Sequence, residues 1–160
     1  MNDAKQATGL DGVPETMLWT LHNRARESMR RDAWLHDPEA ERLYRAIDYD
    51  FERSFGKPDS SHATRSLQFD AVVSRWLERH PDGVVVELGC GLETQCQRLR
   101  RAGFGQRQWL CVDVAEAIAI RERFLTADAH CRHLACSALD LRWIDVITAD
   151  YPGRPVFVTF

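Results

Sequence analysis

A chain of 160 residues, 44% hydrophobic and 28% charged with a formal net charge of −3, is long enough to bury a core without disulfide or metal staples. The composition excludes wholesale disorder, and charges interrupt the apolar runs too often for a membrane span. Neither half is basic, which argues against nucleic acid as a partner.

Residues 1–12 are polar, contain glycine and lack the charged-then-apolar order of a signal peptide, so they read as a flexible tail. From Val13 to His80 the pattern is helical. Glu15 to Arg31 spaces Leu18, Leu21, Ala25 and Met29 by three and four, predicting an amphipathic helix with one buried stripe and arginines towards its C-terminal end. Asp37-Pro38 supplies an N-cap and a first-turn proline for a second helix with Ala40, Leu43, Tyr44 and Ile47 on one face. Gly56 and Pro58 break the periodicity between Phe51 and Pro58. Ser60 or Ser61 then caps a third helix whose inner face is expected at Leu67, Val72 or Val73, and Trp76. No strand is expected in this half.

The rhythm changes at Pro81-Asp82-Gly83. Val84 to Leu88 is a β-branched run ended by Gly89-Cys90-Gly91, and a helical segment follows from Leu92 to Ala102, closed by Gly103 and Gly105. Trp109 to Val114 predicts the next buried strand, Ala115 to Leu125 a helix, and His130 to Cys136 a third strand. Leu141 to Ala149 predicts another helix and Val156 to Phe160 a fourth strand. Strands alternating with helices imply parallel pairing through right-handed crossovers, hence an α/β, doubly wound sheet.

The five cysteines are odd in number and form no Cys-x-x-Cys, which suits reduced thiols in the cytoplasm. His130, Cys131, His133 and Cys136 are the only cluster a metal could use, and they lie in an alternating stretch without zinc spacing, so no metal site is expected.

The chemistry concentrates where the first two strands of the second half end. Glycines at 89 and 91 let backbone approach a ligand closely, and Asp113 follows Gly91 by 22 positions, the offset at which a carboxylate can accept hydrogen bonds from ribose hydroxyls. A dinucleotide fingerprint would carry a third glycine where Thr94 stands, and Glu93 at the start of that helix would repel a pyrophosphate. A ligand with ribose but no phosphate, such as S-adenosylmethionine, fits better. The alternative is a plain strand-to-helix turn at Gly89 and Gly91, with Asp113 as an N-cap for the helix from Ala115.

The run Val84 to Thr94 resembles the first motif of the leucine carboxyl methyltransferase family, including its bacterial branch similar to polyketide O-methyltransferases. That branch has Asp then Thr-Arg after Gly-Leu, where this chain has Glu93, Thr94 and Gln95. The resemblance continues through Val112-Asp113, Glu116-Ala117-Ile118, Arg121-Glu122-Arg123 and Ser137-Ala138-Leu139-Asp140 ahead of Trp143. Upstream it includes Arg24-Ala25, Leu35 to Pro38, Ile47 to Phe51, and Arg65 ahead of Phe69-Asp70.

This resemblance implies a class I S-adenosylmethionine-dependent O-methyltransferase in one structural domain: an N-terminal helical cap over 13–80 and a Rossmann-like core over 81–160. The core would hold the first four strands, in order 3-2-1-4, of a sheet that has seven in the family. The fourth strand would then present an unpaired edge, favouring oligomerisation or a completing chain.

Carried over to these positions, the resemblance sets Gly89 and Gly91 against the methionine part of the cofactor, with Glu87 at the same end. It puts Asp113 on the ribose and Ser137 to Asp140, Ser137 and Asp140 foremost, beside the adenine. Arg65 would pair with the cofactor carboxylate, a task suited to a guanidinium fork. Arg24 is a candidate for the same pocket as a substrate-binding residue, or else a solvated arginine on the outer face of its helix. The acceptor would be a small molecule or a peptide carboxylate. A carboxylate is already ionised at neutral pH, so alignment suffices without a general base and no catalytic residue is assigned. His22, His36 and His62 read as surface or core-edge residues. A non-catalytic binding module retaining the fold is the competing reading.

Overall fold

The computed structural model describes residues 6–7 and 15–160. The tail expected over residues 1–12 lies outside these apart from Gln6–Ala7 (β1), which pair in parallel with Ile47–Asp48 (β2), so the first half does carry a two-residue bridge. The chain separates into two compact units, one comprising the described residues up to Asp70 together with Leu92–Arg98, the other Ala71–Gly91 with Leu99–Phe160.

The first unit is built on Glu15–Ser28 (α1), Pro38–Ala46 (α2), Phe51–Phe55 (α3) and the first half of Ser61–Arg79 (α4). Asp37 caps α2, its carboxylate accepting from Ala40 N at 3.0 Å, and Pro38 occupies the first turn. Two expectations are corrected. The α1 helix has no single buried stripe: besides Leu18, Leu21 and Ala25, its polar residues His22, Asn23, Arg24, Glu27 and Ser28 are buried, while Trp19 is exposed. The stretch after Phe51 is not simply a break. Asp50 caps the short α3, Gly56 ends it at φ 71, and Phe51 packs against Tyr44 with ring centroids 4.4 Å apart.

The short Gln95–Leu99 (α5) belongs to the first unit up to Arg98. The second unit holds Val84–Leu88 (β3), Gln108–Asp113 (β4), Ala115–Phe124 (α6), Cys131–Ala135 (β5), Arg142–Asp150 (α7) and Val156–Thr159 (β6). The four strands form one parallel sheet in the order β5-β4-β3-β6, the third-second-first-fourth order expected. The helix after β3 is shorter than expected: α5 passes into a π-helical turn over Arg100–Phe104, where Gly103 takes φ 104.

Alternation along the strands gives the sheet two faces. Val84, Val86, Leu110 and Val112 pack with Ile147 and Tyr151 of α7 on one. On the other lie Glu87, Cys111 and His133, reached by Arg121 of α6, and Phe157, which meets Trp76 of α4 at 5.4 Å between centroids. Helices therefore cover both faces, as a doubly wound Rossmann-like sheet requires. The buried positions of α4 are Ala63, Ser66, Val73 and Leu77, not Leu67, Val72 and Trp76. Trp76 is partly exposed and lies over Gly83, where a β-carbon would come within 2.5 Å of the indole. Among the described residues β6 pairs only with β3, and Val156 and Val158 are exposed.

Candidate functional site

Parallel strands bring their C-terminal ends to one edge of the sheet, and the candidate residues of the second unit gather there. The chain leaves β3 through Gly89, at φ 65, and Gly91, at φ 38. Both values lie in the left-handed region that glycine alone enters without steric cost. A β-carbon built on Gly89 meets nothing within 4 Å, so this side of the turn is open for a ligand to approach the backbone.

Asp113 ends β4 and turns its carboxylate towards the glycines. Oδ2 accepts from Gly91 N at 2.8 Å and Oδ1 from Val114 N at 2.8 Å. Each carboxylate oxygen has two lone pairs, so both retain capacity for a hydroxyl donor, and the side chain is only half-buried. Asp113 is not the N-cap of α6, which is Val114 without a side-chain cap. Cys136 N donates to Asp113 O at 2.8 Å, which sets Ser137 beside this strand end. Ser137 is exposed, its Oγ accepting from Leu139 N at 3.2 Å. Asp140 is drawn into the start of α7, bonding Arg142 N at 3.0 Å and Arg142 Nε at 2.7 Å.

Beneath the glycine turn lies a buried charged cluster. Glu87 is buried and accepts from Cys111 Sγ at 3.6 Å. Arg121, wholly buried, donates from Nη1 to Gly91 O at 2.9 Å, from Nε to His133 Nε2 at 3.1 Å and from Nη2 to Cys111 Sγ at 3.4 Å. Burial opposes its charge, but Cys111, Cys90 and Glu87 outweigh that and raise its pKa. Desolvation, aided by Arg121, lowers the His133 pKa to about 4, so the imidazole is neutral at pH 7. The thiols of Cys90 and Cys111 are pushed well above their ordinary range, chiefly by hydrogen bonding between thiols and by burial. Donor atoms of Cys111, Cys131 and His133 lie within 4.8 Å of one another, a different set from the one sequence proximity suggests. Cys136 packs on the other face, and His130 bonds Gln108 at 2.8 Å. The Arg121 guanidinium bonds two of those three donors, so a cation placed there would meet a fixed positive charge.

The remaining two candidates belong to the first unit. Arg65 is exposed, with its guanidinium 5.4 Å from the Phe69 ring centre. Arg24 is not a solvated arginine: it is 1% exposed and donates to Asp37 Oδ2 at 2.9 Å, Thr94 Oγ1 at 2.6 Å and Leu92 O at 2.9 Å. Arg98 joins the same cluster, bonding Asp37, Asp70 and Glu93 at 2.7–2.8 Å. Burial opposes ionisation of Glu93, but Arg24 and Arg98 prevail and hold its carboxyl at about 2. Glu93 is therefore not the isolated negative charge that the sequence suggests, since two guanidiniums face it.

Sequence reasoning assigned Asp37 only its role as a helix cap, and none to Arg98, Asp70 or Arg121. A signal existed for Arg121 alone: with Ala117, Ile118 and Phe124 it falls on the inward face of a regular helical spacing.

No protein-family model matches the chain. It is 34% identical over 149 residues to the tetracenomycin polyketide synthesis O-methyltransferase TcmP of Streptomyces glaucescens, a match covering 92% of this chain. The chain spans 54% of the length of that relative.

Proposed function

From its place, over the matched residues, in a bacterial polyketide O-methyltransferase-like family, we propose that this chain binds S-adenosylmethionine at the glycine turn and forms the cofactor-binding part of an O-methyltransferase. The observation that carries the reading is the Gly91–Asp113 contact. It aims a half-exposed carboxylate along an open, left-handed glycine turn at the C-terminal edge of a parallel sheet. The donor set suits a nucleoside: Asp113 would accept from the ribose hydroxyls, Ser137 would flank the base, and Gly89 and Gly91 would leave room for the amino-acid end. When bound, S-adenosylmethionine supplies an electrophilic methyl group carried on a sulfonium. Glu87, at the end of β3, would favour that cationic end electrostatically. By the sequence motifs alone, the wider family would be that of the leucine carboxyl methyltransferases, and Arg65 would serve the cofactor carboxylate.

The acceptor would be a carboxylate or hydroxyl oxygen of a small molecule. A carboxylate needs no protein base, in keeping with the lack of a histidine assigned to proton transfer. Among the described residues no helix is long and apolar enough to cross a membrane. The unpaired edge of β6 supports a further strand from a completing chain or a second copy.

Isothermal titration with S-adenosylmethionine and S-adenosylhomocysteine tests the reading. Wild-type protein should bind both, and Asp113→Asn, which keeps the side chain's shape but removes the carboxylate, should weaken binding by about tenfold or more, the loss of one charged hydrogen bond. No binding at millimolar ligand refutes the cofactor assignment. Transfer of a labelled methyl group to a panel of aromatic hydroxyl and carboxylate acceptors then separates an enzyme from a binding module.

A further inference from the structure

We propose that Arg121 is a positioning residue for the cofactor site, acting on the Asp113 carboxylate through the single residue Gly91, whose carbonyl and amide flank one Cα. The inference rests on the cofactor reading above and adds to it a residue that does not touch the ligand.

An arginine with no exposed surface is costly, since the desolvation of its guanidinium must be offset by several good contacts. The neighbouring inward positions of α6 carry Ala117, Ile118 and Phe124, so an aliphatic side chain would suit position 121 if it only filled space. The guanidinium instead spreads its donors over three groups. The contact with Gly91 O, at 2.9 Å, reaches the turn itself. The same residue's N–H donates to Asp113 Oδ2 at 2.8 Å, and Cys90 N is tied to Val112 O at 3.2 Å. Gly91 is thus held at its carbonyl by a side chain of α6 and at its amide by a side chain of β4. Its φ of 38 leaves it no intrinsic preference to hold that pose. Release of the carbonyl removes one of the two restraints on the Gly91 torsions, so the amide on the other side of its Cα, and the carboxylate bonded to it, lose their fixed aim.

The guanidinium has a second partner in charge. Cys90 and Cys111 keep their protons at neutral pH, because their pKa values are raised, and Glu87 is a buried carboxylate whose charge favours that of Arg121 on this face of the sheet. Balancing Glu87 and tethering Gly91 are separable roles, and the separation provides the test.

Five proteins are compared: wild type, Glu87→Gln, Arg121→Met, Arg121→Lys and the double variant Glu87→Gln/Arg121→Met. The double variant removes both charges and restores neutrality, so its thermal midpoint should recover towards that of Glu87→Gln. Its affinity for S-adenosylhomocysteine should not recover, remaining about tenfold to a hundredfold below that of Glu87→Gln, the span set by one charged hydrogen bond. Arg121→Lys, which keeps the charge and can reach one acceptor, should recover part of that loss. Amide hydrogen exchange at Gly91 in the ligand-free protein gives an independent readout, and its protection should fall in both Met variants while β3 and β4 stay protected. Equal affinity of the double variant and Glu87→Gln overturns the proposal, as does unchanged protection at Gly91. Failure of wild-type protein to bind removes the cofactor reading, and the exchange measurement still decides whether Arg121 holds the turn.

Discussion

Replacing Asp37 should be among the most damaging single changes to the first unit. Its carboxylate is fully buried and accepts from Arg24 Nη1 at 2.9 Å, Arg98 Nη1 at 2.8 Å, Thr94 Oγ1 at 2.5 Å and, as the cap of α2, Ala40 N at 3.0 Å. Asp37, Asp70 and Glu93 together face two guanidiniums, so the cluster carries one negative charge in excess. Removing Asp37 brings the formal charge to zero. Nevertheless, it strips Arg24 of its one fully buried carboxylate and leaves Glu93, partly exposed and 3.3 Å from Arg24 Nε, as the remaining anion.

Breaking such a buried pair costs about 3–5 kcal/mol, here because two buried guanidiniums lose the fully buried carboxylate they share and keep only partly exposed ones. Loss of the cap adds about 1 kcal/mol. Asp37→Asn separates the two effects, since asparagine caps a helix as well as aspartate but carries no charge. We therefore expect Asp37→Ala to lose about 4–6 kcal/mol and Asp37→Asn about 1 kcal/mol less. For a chain of this size, that corresponds to a fall in Tm on the order of 10–20 °C for Asp37→Ala. Urea denaturation followed by far-UV circular dichroism measures both variants. A loss below about 1 kcal/mol for Asp37→Ala would place the cluster with exposed ion pairs of little net worth and refute the reasoning.

Gly83→Ala should destabilise the second unit by about 1–3 kcal/mol, the usual cost of overpacking, because its β-carbon would come within 2.5 Å of the Trp76 ring; a matching change in Trp76 fluorescence would be seen, and an unaltered melting curve would contradict the packing. Acidification should weaken the fold between pH 6.5 and about 4. There the unfolded chain protonates His133 while the folded chain, whose pKa is lowered by burial and then by Arg121, does not, so stability is full above 6.5 and is lost as pH falls. His22 and His62, also lowered by burial, act in the same sense. His133→Asn should flatten part of this slope in pH-dependent urea denaturation, and an unchanged slope would show that His133 is not its source.

The sheet was legible because its signals are local. The β-branched run at Val84–Val86, the glycine turn and the acidic end of β4 each announce themselves within a few residues, and the strand order followed from the resemblance. The faces of the helices were less legible. In α4 the larger apolar side chains suggested Leu67, Val72 or Val73, and Trp76; Val73 is buried, but the other buried positions are Ala63, Ser66 and Leu77, small residues included. The buried arginines were least legible of all. Arg24 and Arg98 find their partners 13 and 61 positions away at Asp37, and nothing local distinguishes an arginine bound for such a cluster from one bound for solvent.

That blind spot bears on the choice of ligand. Glu93 is a weak bar to a pyrophosphate, because Arg24 and Arg98 pair with its charge. The stronger bar to a dinucleotide is Thr94. Where a dinucleotide turn reserves a glycine so that helix and strand can pack closely, this chain has a fully buried threonine whose hydroxyl donates to Asp37 at 2.5 Å and accepts from Arg24 at 2.6 Å. Glycine there would leave two arginines and a carboxylate short of a partner, so position 94 is committed to the first unit's core. The same commitment explains how the chain departs from the three-glycine pattern while keeping Gly89, Gly91 and Asp113, the residues proposed to receive a phosphate-free nucleoside.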